Sequence, residues 1–191
     1  MSQDPGSPIL AAVYQRQTDE ARRLAGSAPA LTIWEAAALG RDANLDALLA
    51  ADAALVNAPA PDGFFPLSLA AFFAPAATVQ RLIDAGADPG VASRNGMQVQ
   101  PLHAAVASRN LDAVRLLLDH GADPNARQQV GYTPLMGAAG SGRDDLVDLL
   151  LAHGADPALV AEDGKTALIA AREHGHTAMA NRLAGRMQDG D

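Results

Sequence analysis

The sequence predicts an all-α solenoid, a row of short helix pairs stacked side by side, on the basis of three observations. The tetrapeptide GADP occurs three times, 35 and 33 residues apart, at positions 86–89, 121–124 and 154–157. A Pro-Leu or Ala-Leu pair recurs in step with it and begins at 66, 101, 134 and 167. Each pair opens a short apolar run, and a second apolar stripe at helical spacing follows it. A period near 33 residues is typical of stacked repeats, which bury their apolar faces only against one another.

The stretch from Pro101 to Pro124 shows one such unit in full. Pro101 suits the first position of a helix, where its missing N–H would have no partner in any case. Asn110 is suited to cap the second helix. Gly121 can take the left-handed conformation that ends a helix, and the proline that follows prevents its continuation. We therefore predict two short helices and a stop signal within each period.

Three segments match one family pattern, D-G-x-T-P-L-H-x-A-A. They are DGKTALIAA at Asp163–Ala171, GYTPLMGAA at Gly131–Ala139 and QPLHAA at Gln100–Ala105. On these segments the chain resembles the ankyrin repeat family, from about Leu31 to Ala184. The resemblance implies about five or six helix pairs joined by short β-hairpin fingers. It also implies a concave face, formed by hairpin tips and first helices, that binds a partner protein without catalysis.

The repeat spacing divides the chain into one continuous array, 8–187, between a disordered N-terminus, 1–7, and a loose tail, 188–191. The units are a degenerate N-terminal cap at 8–30, four repeats at 31–61, 62–94, 95–128 and 129–161, and a C-terminal cap at 162–187. End repeats are atypical because one side faces water. Arg182 stands where earlier copies have leucine. We therefore expect that face to lack a neighbour and the array to end there.

Composition restricts the kinds of partner. The formal charge is −8, whereas a nucleic-acid partner would require a basic surface. No apolar run is long enough to cross a membrane, and the chain has no cysteine for disulfide or thiol chemistry. We expect a cytoplasmic protein, monomeric rather than homo-oligomeric, that binds an unknown protein and neither nucleic acid nor membrane. No cofactor and no metal are expected.

The candidate partner-binding residues lie at the finger tips and at the end of one first helix. They are Phe64, Phe72, Phe73, Met97, Gln98, Tyr132 and Lys165. Aromatic anchors contribute a large share of interface energy, and extra residues in a repeat, here within 95–100, often extend the binding face. The alternatives are core packing for Phe64 and Phe72, and neutral length variation for the insertion. We interpret Phe65 as a core residue.

The histidines raise an alternative function, a small hydrolase or metal-dependent enzyme that uses His103 or His174 with His176. His103 occupies the histidine position of the family pattern, where we expect a hydrogen bond to neighbouring backbone. The pair at 174 and 176 has no third ligand placed by sequence, and zinc requires three or four. We therefore predict no catalytic residues and no enzyme activity. Self-association through the N-terminal helices is a third hypothesis.

Overall fold

The computed structural model describes residues 6–188, and within that range the chain forms six successive pairs of α-helices with no β-strand. The helices are α1 Pro8–Tyr14, α2 Thr18–Ser27, α3 Ile33–Leu39, α4 Asp42–Ala51, α5 Pro66–Phe73, α6 Ala76–Asp84, α7 Pro101–Ala107, α8 Leu111–Asp119, α9 Pro134–Gly140, α10 Asp144–Ala152, α11 Ala167–Glu173 and α12 Thr177–Gln188. Two short 3-10 helices, Ala53–Asn57 and Gln129–Gly131, lie in the connections. The predicted all-α solenoid is confirmed.

The helices form two layers. The odd-numbered helices, the first of each pair, form an inner layer in which α1 contacts α3, α3 contacts α5, and so on to α11. Alanine occupies the fifth position of five inner helices and is fully buried there, at Ala37, Ala70, Ala105, Ala138 and Ala171. Such small side chains let the inner helices pack closely. One continuous apolar core follows from Ile33 to Leu183.

Helix starts follow the sequence signals. Asn110 accepts a hydrogen bond from the Ala113 N–H, 3.1 Å away, at the start of α8. Thr133 and Thr166 cap α9 and α11 in the same way, and proline is the first residue of α5, α7 and α9. The predicted caps at Asn110 and Thr133 are confirmed. Each satisfies a backbone donor that the helix leaves without a partner.

The four fingers that connect successive pairs are tight turns, at 60–64, 93–99, 128–132 and 161–165. In three of them an N–H donates to the carbonyl four residues on, at 2.7 to 3.0 Å, and the longer second finger closes from Ser93 to Val99 at 2.9 Å. One backbone bond joins each finger to the next, for example Gln129 N–H to Met97 O at 2.9 Å. Too few bonds form for a ladder. The expected β-hairpins are therefore replaced by turns in the described fingers.

The N-terminal unit differs from the expectation at its start. Ser7, predicted to lie in a disordered segment, caps α1 by accepting from the Ile9 and Leu10 N–H groups, and its hydroxyl donates to Glu35. Residues 1–5 of that segment lie outside the described residues. The helices α1 and α2 share a small apolar cluster, separate from the main core, that includes Leu10 and Val13.

The C-terminal unit also differs. The Arg182 guanidinium lies 3.4 Å from Asp144 and 3.2 Å from Asp148 on α10. The expectation that its face lacks a neighbour is wrong, because the long side chain reaches back to the preceding outer helix. Of the tail, Gln188 ends α12 and 189–191 lie outside the described residues. No helix within 6–188 combines the length and apolar character needed to cross a membrane.

Candidate partner-binding groove

An apolar hollow of about 330 Å³ crosses the inner helices α5, α7 and α9 beneath the second and third fingers. We call it the groove. Its floor is made of small residues such as Ala104, Ala107 and Gly137, and aromatic rings form its walls. No aspartate, glutamate, lysine or arginine lines it. The groove is therefore suited to an uncharged, apolar occupant.

Four of the groove's aromatic residues were selected from the sequence, and three of them, Phe64, Phe72 and Phe73, are half-buried and lie close together. The Phe72 and Phe73 ring centroids are 4.6 Å apart. Phe72 packs on the main core, whereas Phe64 and Phe73 pack on the N-terminal cluster. These rings thus contribute to the fold while presenting one side to the groove. Phe65, expected in the core, is buried.

The sequence did not indicate Tyr14, which forms the N-terminal wall of the groove. Its ring centroid lies 5.7 Å from that of Phe73 and 6.4 Å from that of Phe64. Its hydroxyl donates a 2.5 Å hydrogen bond to the buried Asp62 carboxylate. Burial, and then the hydrogen bond and charge of Asp62, raise the pKa of the Tyr14 phenol. Asp62 is 48 residues from Tyr14 in the sequence, so no local sequence pattern indicated this contact.

The insertion in the second finger places Met97 over the groove. Its side chain is 39% exposed and lines the groove, and the finger is held by Ser93, whose hydroxyl accepts from the Val99 N–H at 2.9 Å. Gln98 is exposed, with φ of +51°, and does not line the groove. The insertion therefore brings one of its two candidate residues to the groove.

At the opposite end, Tyr132 lines the groove and Lys165 does not. The Tyr132 hydroxyl lies 3.2 Å from Asp163, to which it donates. The Lys165 ammonium pairs with Glu173 at 2.9 Å, and Glu173 first, then Tyr132, raises the pKa of Lys165. Of the seven sequence candidates, the structure brings five together: Phe64, Phe72, Phe73, Met97 and Tyr132.

His103 is buried and lines the groove, and its Nε2 donates to the Tyr132 carbonyl at 3.2 Å. The predicted hydrogen bond to neighbouring backbone is confirmed. Burial lowers the pKa of His103 by more than the carbonyls of Tyr132 and Ala126 and the charge of Asp123 raise it. The imidazole is therefore neutral at pH 7, and it ties α7 to the third finger.

The other two histidines of the enzyme hypothesis lie at the last turn between helices. His174 Nδ1 donates to the Ala170 carbonyl at 2.9 Å, and the His176 ring packs against Gly142. Among residues 6–188, no three His, Cys, Asp or Glu side chains are grouped closely enough to hold a metal ion. Both rings thus have structural contacts in the repeat turns.

A second, smaller hollow of about 290 Å³ adjoins the groove and shares the Phe72 and Phe73 rings with it. We call it the side hollow. Val13 and Leu39 contribute apolar surface, and Arg16 and Ser108 lie at its polar edge. Arg16 is exposed, and Arg109 follows Ser108 at the same end of the inner helices. The groove and the side hollow therefore differ in charge.

A stack of helix pairs with projecting turns and an uncharged groove on its inner helices defines a repeat scaffold. Comparison with known families agrees: one model of ankyrin repeats matches residues 33–128 and a second matches 117–171. Because the first match covers half of the chain, the chain belongs to the ankyrin repeat family.

Two curated relatives match over 56 residues each, which is 29% of this chain. One is the 2-5A-dependent ribonuclease of Mus musculus, 46% identical, of which the match covers 8%. The other is the ankyrin repeat-containing protein P1E11.10 of Schizosaccharomyces pombe, 39% identical, of which it covers 26%. The similarity to both is thus confined to a small part of each relative.

Proposed function

We propose that this chain is a non-catalytic binding module that holds a partner protein on its concave face, with the groove as the main contact. The observation that carries the proposal is the convergence of Phe64, Phe72, Phe73, Met97 and Tyr132 on one uncharged groove. Aromatic and methionine side chains are enriched at the centres of protein interfaces. The cytoplasmic setting and the monomeric state stay predictions of the sequence.

The alternative, a hydrolase or metal-dependent enzyme, receives less support from the geometry. Catalysis needs titratable groups that converge on the reacting atoms. His103 lines the groove with its Nε2 engaged by a backbone carbonyl, and no carboxylate lines the groove beside it. His174 and His176 lie outside the groove. The ribonuclease relative matches this chain over only 56 residues, and we do not infer nuclease activity for this chain from that match.

Photo-cross-linking in the source cell tests the proposal. A photoreactive amino acid is placed at Met97, which overhangs the groove, or at the exposed Ala77 on the outer helix α6. The expected result is a discrete cross-linked protein from position 97 that is absent from position 77. Cross-links of equal yield from both positions, or from position 77 alone, would contradict the proposal. The 97 variant must retain the melting temperature of the parent chain.

A variant in which a larger side chain fills the groove tests whether the cross-link at position 97 depends on the groove. Serine at Phe64 and Phe72 would remove core packing as well as groove surface, because both rings pack on apolar clusters. Gly137→Leu instead fills the groove from the exposed inner face of α9. A leucine there also favours the helix, by about 1 kcal/mol relative to glycine. Ala77→Leu on α6 is the control, and the cross-link from position 97 should disappear only in the groove variant.

A further inference from the structure

We propose that the partner inserts a large, uncharged apolar side chain into the groove and places a carboxylate beside Arg16 at the edge of the side hollow. This inference rests on the proposed function and specifies the chemistry of the partner segment. It assigns two subsites, one apolar and one cationic, to adjoining parts of the concave face. The evidence comes from the lining of the two hollows and from the charges around them.

The apolar subsite follows from the groove's lining. The chain has a formal charge of −8, yet none of the residues that line the groove carries a charge when His103 is neutral. A charged group placed there would lose its hydration without gaining a counterion. An aromatic or large aliphatic side chain would instead contact Phe72, Met97 and Tyr132 and bury its surface, which is the favourable exchange.

The cationic subsite follows from the side hollow. Arg16 lies at its edge, two residues after the end of α1, and is exposed. Arg16 forms no ion pair with a carboxylate within residues 6–188, and neither does the exposed Arg109, which lies outside the lining of the side hollow. The two free guanidinium groups lie at the same end of the inner layer. They favour an acidic group on the partner.

The shared walls place the two subsites side by side. Phe72 and Phe73 line both hollows, so an extended segment that fills the groove can continue along these rings to the side hollow. The expected recognition element is therefore one large apolar residue with an aspartate or glutamate in the same short segment.

Peptide display identifies the recognition element directly. A library of random twelve-residue peptides is selected on the whole chain and counter-selected on Gly137→Leu, and the enriched peptides are synthesised and titrated by calorimetry. We expect a shared large apolar residue and an acidic residue at a fixed spacing from it. Gly137→Leu should weaken binding at least about tenfold, while Ala77→Leu should leave it unchanged.

The acidic residue is tested by a double-mutant cycle. Arg16→Gln should weaken binding about three- to tenfold and reduce its dependence on salt. Replacing the peptide's carboxylate by its amide should weaken binding to the parent chain by the same factor as Arg16→Gln does. The same replacement should not weaken binding to Arg16→Gln any further. Arg115→Gln is the matched control, because Arg115 is exposed on the outer helix α8 and belongs to neither hollow.

The outcomes separate this inference from the proposed function. Peptides that require the groove but lack an acidic residue, or that bind Arg16→Gln unchanged, overturn the cationic subsite. A selection that yields no peptide sensitive to Gly137→Leu overturns both subsites, even where the cross-link from position 97 still forms and the proposed function stands. Absence of that cross-link, by contrast, counts against the proposed function itself.

Discussion

At the scale of single residues, an asparagine joins one repeat to the next in two places. Asn57 Nδ2 donates to the Gly86 carbonyl and its Oδ1 accepts from the Asp88 N–H, both at 3.0 Å. Asn125 makes the same pair of bonds to Gly154 at 3.0 Å and Asp156 at 2.8 Å. Gly90 occupies the equivalent position in the repeat between them, and no side chain bridges there.

Gly90→Asn should therefore stabilise the protein by about 1–2 kcal/mol. Its backbone matches that of Asn125, since each N–H donates to the aspartate two residues earlier at 2.8 Å, and Gly90 does not have positive φ. The new side chain would form hydrogen bonds with the Gly121 carbonyl and the Asp123 N–H. Replacing the glycine would also lower the conformational entropy of the unfolded chain. Urea unfolding measures the change. Asn125→Ala should lose a similar amount, and an unchanged midpoint for Gly90→Asn would contradict the bridge.

Gly142 is required where two repeats meet. An added Cβ would lie 2.4 Å from the His176 ring, and φ is +66°. Gly142→Ala should therefore destabilise the protein by about 2–3 kcal/mol, combining overpacking with backbone strain. Gly154→Ala, with φ of +87° and open space around the Cβ, should show the backbone cost alone. His176→Ala combined with Gly142→Ala should recover part of the lost stability, whereas His176→Ala combined with Gly154→Ala should recover none. Thermal unfolding of the single and double variants measures both effects.

His103 makes stability depend on pH. Burial lowers the pKa of its folded-state imidazole, so the unfolded chain binds the proton first as pH falls. The contribution of His103 to stability is complete above its ordinary pKa of about 6.5 and is lost as pH drops from there to the lowered folded pKa. His103→Gln should flatten the loss of stability between pH 7.5 and pH 5.5. His120→Gln, at an exposed position, serves as the control, and equal slopes for the two variants would refute this role.

At the scale of elements, the N-terminal helix pair is held to the array by few contacts. Tyr14 on α1 reaches Asp62 in the first finger, and Ser7 reaches Glu35 on α3. Among the residues of α2, only Ala21 is buried. Because its apolar cluster is small and separate, this pair should open more readily than the central helices.

Tyr14→Phe tests how the pair is attached. It removes one hydrogen bond to a buried carboxylate and should destabilise the protein by about 1–2 kcal/mol. Hydrogen exchange followed by mass spectrometry should show faster exchange in α1 and α2 and little change in α8 and α10. Uniformly faster exchange along the whole chain would mean that the pair unfolds only together with the rest.

The central repeats were predictable from sequence because their signals are local. The GADP stops, the caps at Asn110 and Thr133 and the Pro-Leu helix starts each act within a few residues, and together they fixed the register. The N-terminal wall was not predictable in this way. Tyr14 meets Asp62, Phe64 and Phe73 only through packing across 48 residues or more, and its unit has lost the glycines that mark the other copies.

The candidate groove was predictable in part for the same reason. Register brings Phe64, Met97 and Tyr132 to successive fingers, and the structure places all three on the groove. Lys165 shares that register but pairs with Glu173 outside the groove, and Gln98, selected as part of the insertion, lies in a turn with φ of +51° and does not line the groove. Repeat register thus predicts which residues can reach the inner face, and side-chain contacts decide which of them do.

At the scale of the whole molecule, acidic and apolar surfaces are separated. Many of the carboxylates lie on the outer helices, including Asp42, Asp46, Asp144 and Asp148, where some pair with an arginine of the following outer helix. Exposed pairs of this kind contribute little to stability. The inner helices carry the uncharged groove. The same stacking that buries the core therefore leaves an uncharged groove on one face.

The most direct test of this account is the affinity of the cross-linked partner, once purified, for the parent chain, Gly137→Leu and Ala77→Leu, measured by calorimetry beside their melting temperatures. We predict at least about tenfold weaker binding by Gly137→Leu at an equal or higher melting temperature, and unchanged binding by Ala77→Leu. Equal affinity of all three chains for the partner would contradict the claim that the groove holds it.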